Sequence, residues 1–292
     1  MNEDVAGQMC TLTQAEKPRV AIQGGDGSFH QIIAHQTLGQ NIEIVPCATF
    51  REAAAKAESG EADVAVMAIE NSIAGSILPN YKILQRGTLK IVGEAYLHIR
   101  QQLMANPGVA LEEIREVHSH PMALQQCAEY LDEHPWRLVE TNDTAMSAKH
   151  LAETGARNAA AIASTAAAEL YGMEIIAPDI HTIKNNYTRF LILAPSDSGI
   201  VAHGADKASI YFKTNHEQGT LLRVLKAMEN SDMNLTKLQS YPIPSEPWHY
   251  MFHVDMEFGN VESFIRTLDA MRAEAREMEV YGIYKKGLDH SA

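Results

Sequence analysis

Short apolar runs recur through the first two thirds of the chain, and most lead into apolar positions at helical spacing. Residues 19–23, 42–46 and 63–69 read as strands, the third wholly apolar from Val64 onward. Further strands are predicted at 90–100, 116–119, 138–141, 159–163, 175–177 and 187–193. Between them lie helix signals. Phe29 opens one that reaches Leu38, and Thr49-Phe50-Arg51-Glu52 has the form of a capping box for one that Gly60 closes. Pro121 suits a first helical turn, with Leu124, Cys127, Ala128 and Leu131 forming its buried stripe. Asn142-Asp143-Thr144 begins a helix that ends before Gly155, and Ser164 caps another reaching Tyr171. Strands alternating with helices predict a parallel, doubly wound α/β arrangement of about ten elements between Arg19 and Pro195.

The rhythm then changes. Residues 195–206 (PSDSGIVAHGAD) read as a linker. A strand at 208–213 precedes a helix opened by Gly219, with Leu221, Val224, Leu225 and Met228 on one face. Residues 235–241 form a second strand, and Phe252, Val254, Met256 and Phe258 alternate with polar residues in a third. Val261, Phe264, Ile265 and Leu268 stripe a second helix before a last strand at 280–284. That order is β-α-β-β-α-β, ferredoxin-like. The expected boundaries are a tail (1–17), a first domain (18–197), a linker (198–205), a second domain (206–287) and a short tail (288–292).

Charge and cysteine usage narrow the function. Over 292 residues the formal net charge is −13, so nucleic acid is not an expected partner. Cys10, Cys47 and Cys127 fit neither a disulfide framework nor a metal pattern, which suits a reducing cytoplasm. The N-terminal segment has no basic flank or apolar core of a signal peptide, and no window has the length of a membrane helix.

Polar clusters interrupt the apolar pattern at the strand ends. Gly24-Gly25-Asp26-Gly27-Ser28 follows the first strand, and its spacing serves a plain tight turn or an anion nest equally. Glu70-Asn71-Ser72, with Gly75, ends the third, where open α/β sheets place ligands or where a turn is simply made. Ser119-His120-Pro121 and Asn142-Asp143-Thr144 stand at later strand ends. His118-x-His120 lacks the further ligands of a zinc site, and His120 reads as a turn or cap.

Five clusters in this order together resemble prephenate dehydratase. They are Gly27-Ser28, Ile69-Glu70-Asn71-Ser72 with Gly75, Ser119-His120-Pro121 through Cys127, Thr144-Ala145-x-Ser147-Ala148, and Asn186-Tyr187-Thr188-Arg189-Phe190. The C-terminal module resembles the ACT regulatory domain of such enzymes. The resemblance implies two α/β lobes (18–97 with 180–197, and 98–179) like those of type II periplasmic binding proteins, with a cleft between them. It implies conversion of prephenate to phenylpyruvate in phenylalanine biosynthesis, no metal or organic cofactor, feedback by L-phenylalanine, and a homodimer or homotetramer.

By position in these motifs, Thr188, Asn71, Gln126 and Glu70 are the expected catalytic residues. Thr188 is expected to donate to the leaving hydroxyl, with a buried, protonated Glu70 behind it or Glu70 merely capping a helix. Ser28, Ser72, Ser119, Thr144, Ser147, Arg189 and Phe190 are the expected substrate contacts, Arg189 through a carboxylate of the substrate or of the protein. Neutral donors suit a substrate that must lose one of its carboxylates, because a strongly basic pocket would hold the ground state too well.

The chain departs from the family pattern in three places. The first loop has Gly25-Asp26 where G-P-x-G-S is common; the usual G-A-L is Gly219-Thr220-Leu221; the usual E-S-R-P is Gln239-Ser240-Tyr241-Pro242. Gly219, Thr220, Leu221, Gln239 and Ser240 are nevertheless the expected L-phenylalanine site. Alternatives are arogenate dehydratase and a non-catalytic amino-acid-sensing binding protein.

Overall fold

The computed structural model describes residues 16–195, 204–229, 231–243 and 245–287. The expected linker therefore lies mostly outside the described residues, as do most of the tails. Residues up to Pro195 form eleven strands and seven α-helices among those described, more than the apolar pattern alone resolves.

The first sheet is built from β1 (Arg19–Gln23), β2 (Glu43–Cys47), β3 (Val64–Asn71), the two-residue β4 (Gly75–Ser76), β5 (Leu89–His98) and β11 (Tyr187–Pro195). Its order is β2-β1-β3-β11-β5, with β4 paired to β3. Helices α1 (Phe29–Leu38), α2 (Phe50–Ser59) and α3 (Leu78–Arg86) cover it. As the capping box predicts, Thr49 Oγ1 accepts from the Glu52 amide, and Ser28 Oγ likewise caps α1 by accepting from that of Gln31. The third helix has no side-chain cap; its start is marked in the sequence by Pro79 in the first turn.

The second sheet has the order β10-β6-β9-β7-β8: β6 is Gln102–Ala105, β7 Glu116–Ser119, β8 Arg137–Glu140, β9 Ala159–Ala163 and β10 Glu174–Ala177. Its helices are the short α4 (Pro121–Gln126) and α5 (Ala128–Asp132), then α6 (Thr144–Thr154) and α7 (Thr165–Tyr171). The expectation of parallel sheets needs correction. β1 is parallel to β2 and β3, but β11 runs antiparallel to β3 and β5, and β6 and β10 are likewise antiparallel. The cause is connectivity: the chain leaves the first sheet along β5 and re-enters it along β11, pairing with the strand it left by. The outward and return passes are tied by Ile99 N donating to Asn186 O (2.7 Å) and Ile180 N to Gln101 O (2.9 Å).

The two lobes touch beside the cleft. Gly27, at φ +79°, packs so closely on α7 that a Cβ there would lie 2.9 Å from Ala167 Cα. Ser164 Oγ donates to Gly27 O at 2.7 Å across the same contact. The glycine is thus required by both its backbone angle and its neighbour.

The C-terminal unit comprises β12 (Lys207–Lys213), α8 (Thr220–Lys226), β13 (Met233–Pro242), β14 (Tyr250–Phe258), α9 (Val261–Glu274) and β15 (Glu277–Tyr284). Its antiparallel order, β13-β14-β12-β15, is ferredoxin-like, as the alternating pattern predicts. One sheet face packs α8 and α9 through Phe212, Val224, Phe264 and Leu268. The other lies on the first lobe, where Tyr211, Tyr281 and Tyr284 join the core made by Met67, Ile69 and Leu191.

Candidate active site

A cavity of about 620 Å³ opens between the two lobes. Ser28, Asn71, Thr188 and Phe190 line it from the first lobe, and Gln126 and Thr144 from the second. Three expected catalytic residues, Asn71, Gln126 and Thr188, thus share one hollow, as do three of the expected substrate contacts.

Strand register sets the geometry. Thr188 on β11 lies opposite Asn71 on β3, and the Asn71 Nδ2 donates to Thr188 Oγ1 at 3.0 Å. The Asn71 amide is held in that orientation, because its Oδ1 accepts from the amides of Ile73 (3.0 Å) and Ala74 (2.9 Å). Its Nδ2 also donates to Asn186 Oδ1 at 2.7 Å, and Asn186 is fully buried. With its oxygen already accepting, the Thr188 hydroxyl is left to donate. Gln126 is treated similarly: Gln101 Nε2 donates to its Oε1 at 3.1 Å, leaving its own amide hydrogens for the cleft. Asn186 and Gln101 are orienting residues that were not among the expected site. Asn186 stood in the recognised motif, whereas Gln101 carried no local signal.

Five expected site residues are placed elsewhere. Side chains alternate across a strand, so Arg189 and Glu70, one position from Thr188 and Asn71, turn to the opposite face. Arg189 is 5% exposed, and its guanidinium donates to Glu94 Oε2 (2.7 Å), to Asp255, and to Tyr284 Oη (3.0 Å). Lys207 Nζ completes the cluster at 2.9 Å from Glu94 Oε1. Glu70 is ion-paired with Lys237 of β13. Neither residue touches the cleft, so the expected role of Glu70 as proton donor and of Arg189 as substrate anchor are both corrected; they fasten the C-terminal unit. Ser119 is also withdrawn from the site, its Oγ donating to Ile162 O at 2.6 Å. The Ser147 hydroxyl is held by Asp143 O and Thr141 Oγ1. Ser72 clasps the return pass, accepting from Tyr187 N (2.9 Å) and donating to Asn185 O (3.2 Å).

Two histidines border the cavity. His120 does cap α4, its Nδ1 accepting from the Met122 amide at 3.2 Å, but it also lines the cleft. Burial lowers its pKa against the opposing pull of Asp143 and Glu140. His30 stands edge-on to Phe190 (5.0 Å between centroids), and burial lowers its pKa to about 4. Among the described residues the lining includes no lysine or arginine.

Residues 20–198 match the family model for prephenate dehydratase. The chain belongs to the prephenate dehydratase family. Among curated relatives of these dehydratases, the Arabidopsis thaliana protein named arogenate dehydratase/prephenate dehydratase 2, chloroplastic, is 38% identical over 256 residues, covering 85% of this chain and 67% of that protein. The chain therefore spans about two thirds of the length of such relatives. Among solved structures, the prephenate dehydratase of Arthrobacter aurescens in complex with L-Phe is similar at a TM-score of 0.82 and 28% identity, covering 91% of this chain and 89% of that one. GqqA, described as a novel type of quorum quenching acylase, has the same TM-score of 0.82 at 29% identity, covering 92% and 98% respectively.

Beyond the interlobe cavity, the C-terminal unit holds a cavity of about 390 Å³ lined by residues including Thr220, Leu221, His249 and Phe252. Gly219 starts the adjoining helix with φ +79°. Gln239 and Ser240 are not in that lining; they lie on the outer strand β13, with β14 between them and β12. The expected effector residues are thus split within the chain.

Proposed function

We propose that the chain is a lyase converting prephenate to phenylpyruvate with loss of carbon dioxide and water. The observation that carries this reading is the pairing of Asn71 with Thr188 inside the interlobe cavity, facing Gln126 and Thr144. Thr188 gives its hydrogen bond to the departing ring hydroxyl, while the ring carboxylate leaves as carbon dioxide and its electron pair completes the aromatic ring. The proton consumed comes from solvent through that contact. Gln126, Thr144 and Ser28 orient the substrate from both lobes, and such orientation contributes several kcal/mol to lowering a barrier. Donors without formal charge hold the carboxylate that must depart without over-stabilising it.

The C-terminal unit fits an ACT-type regulatory role, with L-phenylalanine taken up beside Gly219, Thr220 and Leu221. Pairing of two such units suits β13, an outer strand with Leu235 and Leu238 exposed, and would bring Gln239 and Ser240 toward another copy. A dimer or tetramer in the cytoplasm is the corresponding assembly and setting. No helix among the described residues is long and apolar enough to cross a membrane.

The test is incubation of the purified chain with prephenate while phenylpyruvate is followed, with and without L-phenylalanine. Enzymatic release of phenylpyruvate, slowed by L-phenylalanine, is expected. Formation at only the spontaneous rate would remove the proposal.

A further inference from the structure

Asp143 stands out in the wall of the cleft. Among the described residues it is the one carboxylate lining the interlobe cavity, and no lysine or arginine lines it. The space continues past His120 and Asn142 into a second opening that Asp143 and Glu140 line, again without a lysine or arginine among the described residues. Asp143 begins α6, and its Oδ1 accepts from the Met146 amide at 2.8 Å. That helix cap uses one oxygen. The other, Oδ2, reaches across to the first lobe, lying 2.7 Å from where a Cβ on Gly24 would stand. The absence of a side chain at Gly24 is what admits it. His120 is beside it, but burial lowers the imidazole's pKa, so that ring leaves the carboxylate's charge uncancelled near neutral pH.

A carboxylate with no lysine or arginine beside it in the wall of a site for a dianion is repulsive in the ground state. It becomes attractive once the substrate carries an ammonium group. We propose that Asp143 is the specificity-determining residue of this cleft, its Oδ2 pairing with a side-chain ammonium so that the amino analogue, arogenate, is favoured over prephenate. The inference rests on the dehydratase reading. The bond changes are unaltered: the ring-to-carboxylate bond breaks and releases carbon dioxide, its electrons enter the ring, and the hydroxyl departs as water with one proton from solvent. The amine is a spectator, and the product is phenylalanine. Specificity of this kind is a difference between two affinities, and one carboxylate acts on the two substrates with opposite sign.

Asp143→Asn separates this role from capping, because asparagine caps a helix as well as aspartate does. The experiment measures kcat/KM for arogenate and prephenate in wild type, Asp143→Asn and Asp143→Ser, the last also a capping residue, with a thermal melt of each. The arogenate-to-prephenate ratio is expected to fall about tenfold or more in both variants, through a lower arogenate value and a higher prephenate value. An unchanged ratio overturns the inference, whether both activities fall together, as loss of a structural cap would cause, or neither moves. Wild-type protein that turns over neither compound overturns the dehydratase reading and this inference with it.

Discussion

The side-chain amide of Asn71 donates to the hydroxyl oxygen of Thr188 at 3.0 Å, so the threonine is left facing the cleft as a donor. The polarity of that bond is fixed by two backbone amides on the far side of Asn71. Asn71→Asp, nearly isosteric, replaces the donor with an acceptor, and the Thr188 proton turns toward it and away from the substrate. The expected loss in kcat is on the order of 10²-fold, the lower end of what a positioned proton donor contributes. Steady-state kinetics beside a melting curve check it: Asn71→Asp retaining full kcat would refute the stated polarity.

Arg189 leads to a prediction about stability. Two cations, Arg189 and Lys207, and two carboxylates, Glu94 and Asp255, are all buried where the C-terminal sheet meets the first lobe. Removing one partner strands the others. Arg189→Ala should cost about 3–5 kcal/mol. Arg189→Met combined with Asp255→Asn leaves the Lys207–Glu94 pair balanced and should cost less than the two single changes summed. Urea denaturation of the four proteins in a double-mutant cycle tests this; strict additivity would contradict the coupling.

Two histidines, His253 in the core and the half-buried His30 at the cleft, set an acid limit. Burial lowers the pKa of both His30 and His253 to about 4, from an ordinary 6.5. The folded protein therefore binds fewer protons than the unfolded chain between these values, and stability falls as pH drops from about 6.5 toward 4. Above that window these two residues contribute no slope. His253→Phe should flatten the acid limb in denaturation measured between pH 8 and 4, and an unchanged limb would count against this assignment.

Gly27 carries the lobe contact. Gly27→Ala adds a Cβ within 2.9 Å of Ala167 Cα at a backbone angle of +79°. The lobes must part or the turn must rearrange, at a cost of about 1–3 kcal/mol. Activity should fall with raised KM, since Ser28 of the same turn lines the cleft. Kinetics matching wild type would show that the contact has no bearing on the site.

Much of this was legible from the residue pattern, and the misplacements have physical causes. The strand predicted at 187–193 already implied that Thr188 and Phe190 share a face and that Arg189 does not; treating the motif as a unit hid that alternation. The same reasoning separates Glu70 from Asn71. Ser119 and Ser147 sit within the recognised clusters, yet the Ser119 hydroxyl is taken up by Ile162 O, far away in sequence, and that of Ser147 turns back to Asp143 O one helical turn earlier. Gln101 orients Gln126 from the outward pass of the chain, a non-local relation that no sequence window contains. Docking of the C-terminal unit was equally hidden: a Cβ on Gly282 would lie 2.1 Å from Ile91 O, so the glycine marks a close backbone approach. Asp143 read only as the start of a helix, which accounts for one of its oxygens.

The most direct measurement pairs prephenate turnover with prephenate binding in Thr188→Val, which keeps the side-chain shape and removes the hydroxyl. If Thr188 is the donor to the departing hydroxyl, calorimetry will show affinity within a few-fold of wild type while kcat falls at least about 10²-fold. Turnover within a few-fold of wild type would contradict the account.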